Sequence, residues 1–406
     1  MAEFEELPEG DDDGYSADEN SMNDMVDMGD FDLPSVSENT EDLAEIHDDF
    51  GGKTVAFKFG FLGCGQGGGN VVGSFYKLGY RRAAVVNMSA QDMQGLPAGL
   101  NTLNLTGNQL GGAGKDPLIA AASSSAKRDE IFDLLTRSWG SELDYGLVCV
   151  GLGGGTGTGC AMTAVEVAKE YMRSIGKEPK VGAIVSLPSV VEGDRVAANA
   201  VTGFKQLLGA DLSPLIVIDN QRIKELYKPS VSKLWEMCDS VVTMNLHWFN
   251  QLASQRGQLA TFDKQDMASI LDSGVVTYGS SAIGDLKTKD AIAAGIKLQL
   301  EASALAQMDW KKGTAAGLVL VGSNEILDRL PMDTLEYAYS TLGRALAKGS
   351  VLHRGIYRGS RQELRAFTMI GGLQPPLARL GELAAAGRMP ISGSGATSIG
   401  KFMGIN

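Results

Sequence analysis

The run Gly153-Gly-Gly-Thr-Gly-Thr-Gly159 has the composition of an anion cradle. Glycine reaches φ > 0 and lets backbone N–H groups approach a ligand with no Cβ in the way. The partial positive charge of a helix start adds to those donors. Thr156 and Thr158 contribute hydroxyls. No Gly-Lys-Ser/Thr closes the run, so it is not a Walker loop. Two more glycine-rich stretches suit the same chemistry: Gly63-Cys-Gly-Gln-Gly-Gly-Gly-Asn70 and Leu110-Gly-Gly-Ala-Gly-Lys-Asp-Pro117, where Lys115 adds a cation able to neutralise phosphate charge.

These loops need strands to deliver them. Leu147–Val150 reads as a buried strand running into Gly153, and Cys160–Tyr171 carries apolar residues at helical spacing, so the glycines sit at a strand-to-helix turn. Val55–Leu62 is a first strand ending at Gly63, and Ala83–Asn87 a second; Leu118–Trp139 reads as a helix. Lys180–Leu187 and Pro214–Asn220 continue the set, and ligands of such parallel sheets gather outside the carboxyl ends of the strands. Ser230–Gln255 reads as one long helix with Leu234, Val241, Val242, Leu246 and Phe249 on its buried side. Trp235 and Asp239 lie four apart and share a face of it. A flat aromatic stacks on a purine, and a carboxylate accepts two hydrogens from N1 and N2 of guanine; a plain core tryptophan fits the same spacing. Asp263 and Asp266, three apart, fit an N-cap pair for the helix Met267–Leu271.

After Gly257 the glycine loops stop. Val275–Ile283, Ala315–Val321, Val351–Arg358 and Leu364–Ile370 read as strands, with helices near Thr288–Gln307 and Met332–Ala347, which predicts a second, α+β domain. Leu373–Asn406 carries Pro375-Pro376, a short helix through Ala386 and a Gly/Ser-rich end, read either as a flexible end or as a segment docking on a neighbouring subunit.

Charge is unevenly spread. Residues 1–50 hold 19 Asp and Glu and no Lys or Arg, so the remainder has 49 − 19 = 30 acids against 36 bases, a net of +6 beneath an overall −13. Dense like charge with few large apolar residues predicts a disordered arm, either solubilising or partner-binding, in which Phe31, Leu33, Leu43 and Ile46 can anchor a short helix. No stretch approaches the roughly 20 apolar residues of a membrane span, and an acidic start is the wrong charge for a signal peptide, so a cytoplasmic protein is expected. Cys64, Cys149, Cys160 and Cys238 lack metal-ligand spacing and read as reduced core residues, and no metal site of side chains is expected. His47, His247 and His353 flank no nucleophile motif, which argues against Ser-His or Cys-His catalysis.

The three glycine stretches together resemble the loops of the tubulin and FtsZ superfamily of GTPases: Gly-Gly-Gly-Thr-Gly-Thr-Gly is its phosphate loop, Gly63–Asn70 its first turn, and Gly112-Ala-Gly114 its γ-phosphate sensor. Leu215-Ile-Val-Ile-Asp-Asn220 is similar to a further family strand. The resemblance runs from about Val55 to Gly372. It implies a Rossmann-type α/β GTPase domain with a parallel sheet, a long central helix and a second α+β domain. The expected layout is an arm over 1–50, a nucleotide domain over 51–229, central helix and catalytic loop over 230–273, the α+β domain over 274–372 and a tail over 373–406.

It also implies a cofactor set of GTP or GDP with Mg²⁺, and roles for individual residues. Phosphate contacts fall to Gly65, Gln66, Gly67, Gly112, Ala113, Gly114, Gly153, Gly154, Gly155, Thr156, Gly157, Thr158 and Gly159. Ribose and base contacts fall to Asn70, Glu192, Arg195, Asn220, Trp235 and Asp239. Asp263 and Asp266 match the two acids that enter the site of the next subunit and orient the attacking water, which implies head-to-tail homopolymers. The chain departs from the family pattern at Ser89 for Asp, Asp219 for Pro and Thr261 for Asn, as in a divergent plasmid- or phage-encoded branch. An adaptor contacting the arm or tail is the further partner considered; with no nucleic-acid-reading motif, direct nucleic-acid binding is not expected.

Two alternatives stand beside it. An NAD-type oxidoreductase needs an acid at the end of the second strand, where the chain has Asn87 with Asp92 the nearest acid. A nucleotide-binding structural filament with little turnover is the other.

Overall fold

The computed structural model describes residues 55–106, 111–227, 234–257, 259–283, 286, 288–301, 303–359, 363–391 and 396–405, the side chains of 227, 234–241 and 396 excepted. The expected acidic arm, with Phe31, Leu33, Leu43 and Ile46, lies outside the described residues.

The strands in chain order are β1 (Phe59–Cys64), β2 (Ala83–Asn87), β3 (Asn101–Asn104), β4 (Tyr145–Gly151), β5 (Val181–Leu187), β6 (Leu215–Asp219), β7 (Val275–Ile283), β8 (Ala315–Gly322), β9 (Val351–Arg358) and β10 (Leu364–Leu373). The described helices of eight residues or more are α1 (Gly65–Lys77), α2 (Pro117–Ala126), α3 (Arg128–Trp139), α4 (Gly155–Ser174), α5 (Asp194–Leu208), α6 (Asn220–Tyr227), α7 (Leu234–Leu252), α8 (Lys264–Leu271), α9 (Ala291–Glu301), α10 (Met332–Ala345), α11 (Leu377–Ala386) and α12 (Ala396–Met403).

The described strands form one sheet in the order β3-β2-β1-β4-β5-β6-β7-β10-β8-β9. From β3 to β7 all neighbours are parallel. Every residue of β1, and all but Ser186 of β5, is buried, which is why these strands read as unbroken apolar runs rather than alternating ones. Strand order reverses between β1 and β4, opening a crevice at their carboxyl ends. β7 joins β6 through only two residue pairs, Leu215 with Val275 and Ile216 with Val276. Beyond it β10 runs antiparallel to β7 and β8, and β9 parallel to β8.

The long helix α7 ties the two stretches of sheet together. Asn250 is fully buried; its Oδ1 accepts the Phe57 N–H at 2.7 Å, and its Nδ2 donates to Phe57 O at 3.0 Å and Tyr80 Oη at 3.1 Å. On the other side, Tyr278 of β7 donates to the Val242 carbonyl at 3.1 Å. Each is a buried polar group whose loss strands its partner, so the helix is held in register by about 1–3 kcal/mol per contact rather than by apolar burial alone.

Three local expectations change. The helix expected over Leu118–Trp139 is two, broken at Lys127 (φ −107°, ψ 24°), where Ser123 O and Ser125 O receive its N–H and end the first. β3 was not legible in the sequence: Asn-Thr-Leu-Asn at the sheet edge has no fully buried residue and no apolar signal. The helix expected over Thr288–Gln307 is shorter, because Ala304 and Ala306 pair with Asp219 and Val217 at 3.2 and 2.7 Å and extend the chain there.

Candidate functional site

A cleft of about 310 Å³ lies at the carboxyl ends of β1, β4 and β5 and the start of α6. Of the anticipated residues, Gln66, Gly67, Asn70, Gly112, Ala113, Gly154, Gly155, Thr156, Gly157, Glu192 and Asn220 line it. Three glycine loops and three nucleoside-side positions, spread over 155 residues of sequence (66 to 220), thus converge on one space.

The phosphate side is two helix starts facing one another. α1 begins at Gly65 and α4 at Gly155, so Gly65, Gly67, Gly155 and Gly157 are first-turn residues whose N–H groups point out of the helix ends. Gly153 adopts φ 99°, a region closed to other residues at this turn. Gly157 is required for close approach: a Cβ there would stand 2.3 Å from Gly151 O and 3.3 Å from Cys64 O. Gly154 differs, since nothing lies within 4 Å of a Cβ at that position. The space there is open to a ligand.

Several anticipated residues serve the loops rather than line the cleft. Thr158 is buried, its Oγ1 accepts the Gly153 N–H at 2.9 Å, and the hydroxyl read as a phosphate donor turns into the loop and does not line the cleft. Gly65 and Gly159 pack backbone against neighbouring segments. Gly114 takes φ 57° in the loop ahead of α2. Arg195 sits at the rim, its Nη2 3.3 Å from Asp116 Oδ2, and pairs with the Gly112–Pro117 loop instead of entering the cleft. The side chains of Trp235 and Asp239, assigned to the base, lie outside the described residues.

Other residues were missed. Asn199 donates to Lys115 O at 3.0 Å and to Gly153 O at 3.2 Å, so one amide on α5 links two phosphate loops. Ser186 lines the cleft, and as the only hydroxyl in Val181–Leu187 it was legible as a polar break in an apolar strand. Asp92 also lines it. Ser89, standing where the resembled family has Asp, caps a short helix by accepting the Asp92 N–H at 3.2 Å, so the carboxylate arrives three residues later. Lys115, held at φ 60°, brings a cation. Burial pushes the thiol of Cys64, also in the lining, well above its usual range, with Cys160 and Cys149 adding to the effect; it stays protonated and inert.

Asp263 and Asp266 are elsewhere. They form the capping box of α8: Asp263 Oδ1 accepts the N–H groups of Gln265 and Asp266 at 2.8 and 2.9 Å, and Asp266 Oδ2 accepts that of Asp263 at 3.1 Å. Tyr357 pins the preceding turn, its hydroxyl donating to Phe262 O and accepting from Phe262 N, both at 2.9 Å. Asp263 borders a groove of about 790 Å³ with Phe57, Tyr145 and Lys180, residues at the amino ends of β1, β4 and β5. The seven residues of β4 separate that groove from the cleft by about 20 Å.

Residues 59–228 match the model of the Tubulin/FtsZ family, GTPase domain. That segment is similar to the Tubulin/FtsZ-family GTPase domain. The chain is similar to the cell division protein FtsZ of Haloferax mediterranei, 26% identical over 231 residues (56% of this chain, 58% of the relative). It is 31% identical over 229 residues to FtsZ 1 of Pyrococcus abyssi (54% and 56%). It therefore spans little more than half the length of these relatives. Among solved structures, the GTPγS-form protofilament of TubZ from Bacillus thuringiensis serovar israelensis superposes with a TM-score of 0.70 at 21% identity, covering 82% of this chain and 93% of that one. The GTPγS-bound protofilament of CetZ2 from Haloferax volcanii gives 0.68 at 19%, covering 81% and 97%. The fold extends beyond the GTPase domain into β7–β10, as the coverage requires.

Proposed function

We propose that this protein binds GTP in the β1–β4 crevice and hydrolyses it when a second copy docks its Asp263 loop against that crevice, so that turnover accompanies head-to-tail assembly into filaments. The observation that carries this reading is the separation of the two parts. The phosphate loops lie at the carboxyl ends of the parallel strands, and Asp263 with Asp266 lies at the amino ends, about 20 Å away. One copy cannot close on itself across its own sheet, whereas two stacked copies bring the ends together. Exposed apolar side chains flank both ends: Leu118, Ile119 and Val191 beside the cleft, and Leu259 beside the acidic loop. Their burial on stacking favours association.

Within the cleft, the N–H groups at the α4 start hold phosphate, Glu192 and Asn220 face the nucleoside, and Lys115 offsets charge on the terminal phosphate. Trp235 and Asp239 are assigned to the base. The incoming Asp263 and Asp266 orient a water for in-line attack, since phosphoryl transfer depends mainly on positioning and charge control. Among the described residues no three His, Cys, Asp or Glu side chains gather to hold a metal. That suits Mg²⁺, which is held chiefly by substrate phosphates, waters and one or two carboxylates; Asp92 is the carboxylate available at the phosphate side, and the ion would neutralise phosphate charge there. Filaments of this kind serve cell division, for which the FtsZ relatives are named, or the positioning of DNA or virions, the latter in keeping with a neighbouring structure described as a plasmid segregation TubZ.

A mixing experiment tests the reading. Asp263→Asn keeps an intact cleft and lacks the donated acid; Gly154→Val keeps the acid and fills the cradle. Each alone releases little phosphate from GTP, and the mixture recovers release, because a cleft from the first meets an acid from the second. Recovery failing in the mixture, or wild-type turnover per molecule independent of dilution, rejects the split site.

A further inference from the structure

The C-terminal segment reaches the back of the cleft through one side chain. α11 packs on α5 and on the Val190–Glu192 turn, and α12 packs on α11. From α11, Arg379 runs inward with 7% of its side chain exposed. Its Nε donates to Asp219 at 3.1 Å, its Nη2 donates to the Pro188 carbonyl at 2.7 Å, and its Nη1 pairs with Glu382 at 2.8 Å. Asp219 is 2% exposed and also accepts the Gln221 N–H at 3.0 Å.

Both inner contacts lie directly behind nucleoside-side positions. Asp219 precedes Asn220 in the chain, and Pro188 precedes Ser189, whose N–H is held by Glu192 Oε1 at 2.8 Å and whose hydroxyl bonds Gln221. One planar guanidinium therefore fixes the spacing between the loop after β5 and the loop after β6. Pro188, Glu192 and Asn220 all line the cleft. Burial raises the Asp219 carboxyl above its usual range while Arg379 and the N–H groups of Gln221 and Arg222 pull it back, so loss of the arginine leaves a buried acid without its main partner.

We infer that Arg379 is a positioning residue for the nucleoside half of the cleft, which makes α11 (Leu377–Ala386) part of the nucleotide site. Docking of α11 and binding of the nucleoside are then linked equilibria, and each strengthens the other by the same factor. The inference rests on the GTP reading above. It separates the cleft into halves: the phosphate half is built from loops that Arg379 does not touch, the nucleoside half from loops it braces.

The test titrates GTP and inorganic tripolyphosphate, each with Mg²⁺, into the full-length protein and its Arg379→Ala and Arg379→Lys variants, and follows amide hydrogen exchange of residues 377–386. Arg379→Ala weakens GTP roughly tenfold, the scale of an ordinary coupling between sites, and leaves tripolyphosphate unchanged. Arg379→Lys, which keeps charge but not the fork reaching both Asp219 and Pro188, falls between. In the wild type, GTP slows exchange over 377–386 and tripolyphosphate does not. Equal weakening of both ligands, or GTP that leaves exchange at 377–386 unaltered, overturns the inference; the wild-type exchange result decides it even if Arg379→Ala does not fold. Wild-type protein that binds tripolyphosphate but not GTP overturns the GTP reading and this inference with it, whereas GTP binding equal in wild type and Arg379→Ala overturns this inference alone.

Discussion

His353 Nδ1 lies 2.6 Å from Asp266 Oδ1, and His353 Nε2 lies 2.8 Å from Ser269 Oγ. A histidine on β9 thus spans an acid and a hydroxyl on α8, fixing the carboxylate assigned to orient water. Ser269 also donates to Asp266 O at 2.7 Å, so its proton is directed to the helix backbone and the arrangement braces a carboxylate rather than arming a nucleophile. His353→Ala should lower phosphate release at saturating GTP by roughly tenfold or more, since small displacements of a positioning group are costly. GTP affinity should not change, because the cleft is at the other end of the sheet. Equal loss in affinity and turnover would show that His353 acts on the fold instead.

Asp263 caps α8, and one substitution separates that observed duty from the proposed orienting of water. Asparagine caps a helix about as well as aspartate, while alanine does not. Asp263→Asn should therefore keep the thermal midpoint within a degree or two and lose GTP turnover, whereas Asp263→Ala should lose turnover and about 1 kcal/mol of stability as well. Thermal unfolding followed beside phosphate release distinguishes them.

The phosphate-loop glycines should divide by the space around them. Gly157→Ala must push backbone apart at Gly151 O, 2.3 Å from the added carbon, and should cost about 1–3 kcal/mol together with nucleotide binding. Gly154→Ala meets nothing within 4 Å and sits at φ −72°, so the protein should unfold at the wild-type denaturant midpoint and show only weaker nucleotide binding. Urea melts and nucleotide titrations on the two variants check this contrast.

Cys64, Cys149 and Cys160 are buried, and burial pushes the Cys160 thiol up to about 12 and that of Cys64 well above its ordinary value. Thiolate is the reactive form, so at pH 8 these two remain protonated as well as shielded. Mass spectrometry after native treatment with iodoacetamide should find all three unmodified, and after unfolding in guanidinium all three alkylated. Because the folded pKa values are raised, these thiols cost the native state nothing below the unfolded thiol value of about 8.5; above it the unfolded chain ionises while the buried thiols stay protonated, so stability should fall as pH rises from about 8.5 toward 12.

The glycine runs, the buried strands feeding them and the capping pair Asp263 with Asp266 were determined by the sequence itself. Each is a local signal: a backbone angle, an unbroken apolar run, or a carboxylate three residues from its partner. Composition marked the glycine runs as anion cradles, their resemblance to the tubulin and FtsZ superfamily suggested which nucleotide they would hold, and the parallel order of the strands brought them to one crevice. What only the tertiary structure decided are relations between residues with no local trace. Arg379 meets Asp219 across 160 positions, His353 meets Asp266 from another strand, and Asn199 links Lys115 to Gly153. Thr158 turning inward and Arg195 turning to Asp116 belong to the same class. A side chain's partner is chosen by which elements pack beside it, and periodicity records that an element is buried without recording against what.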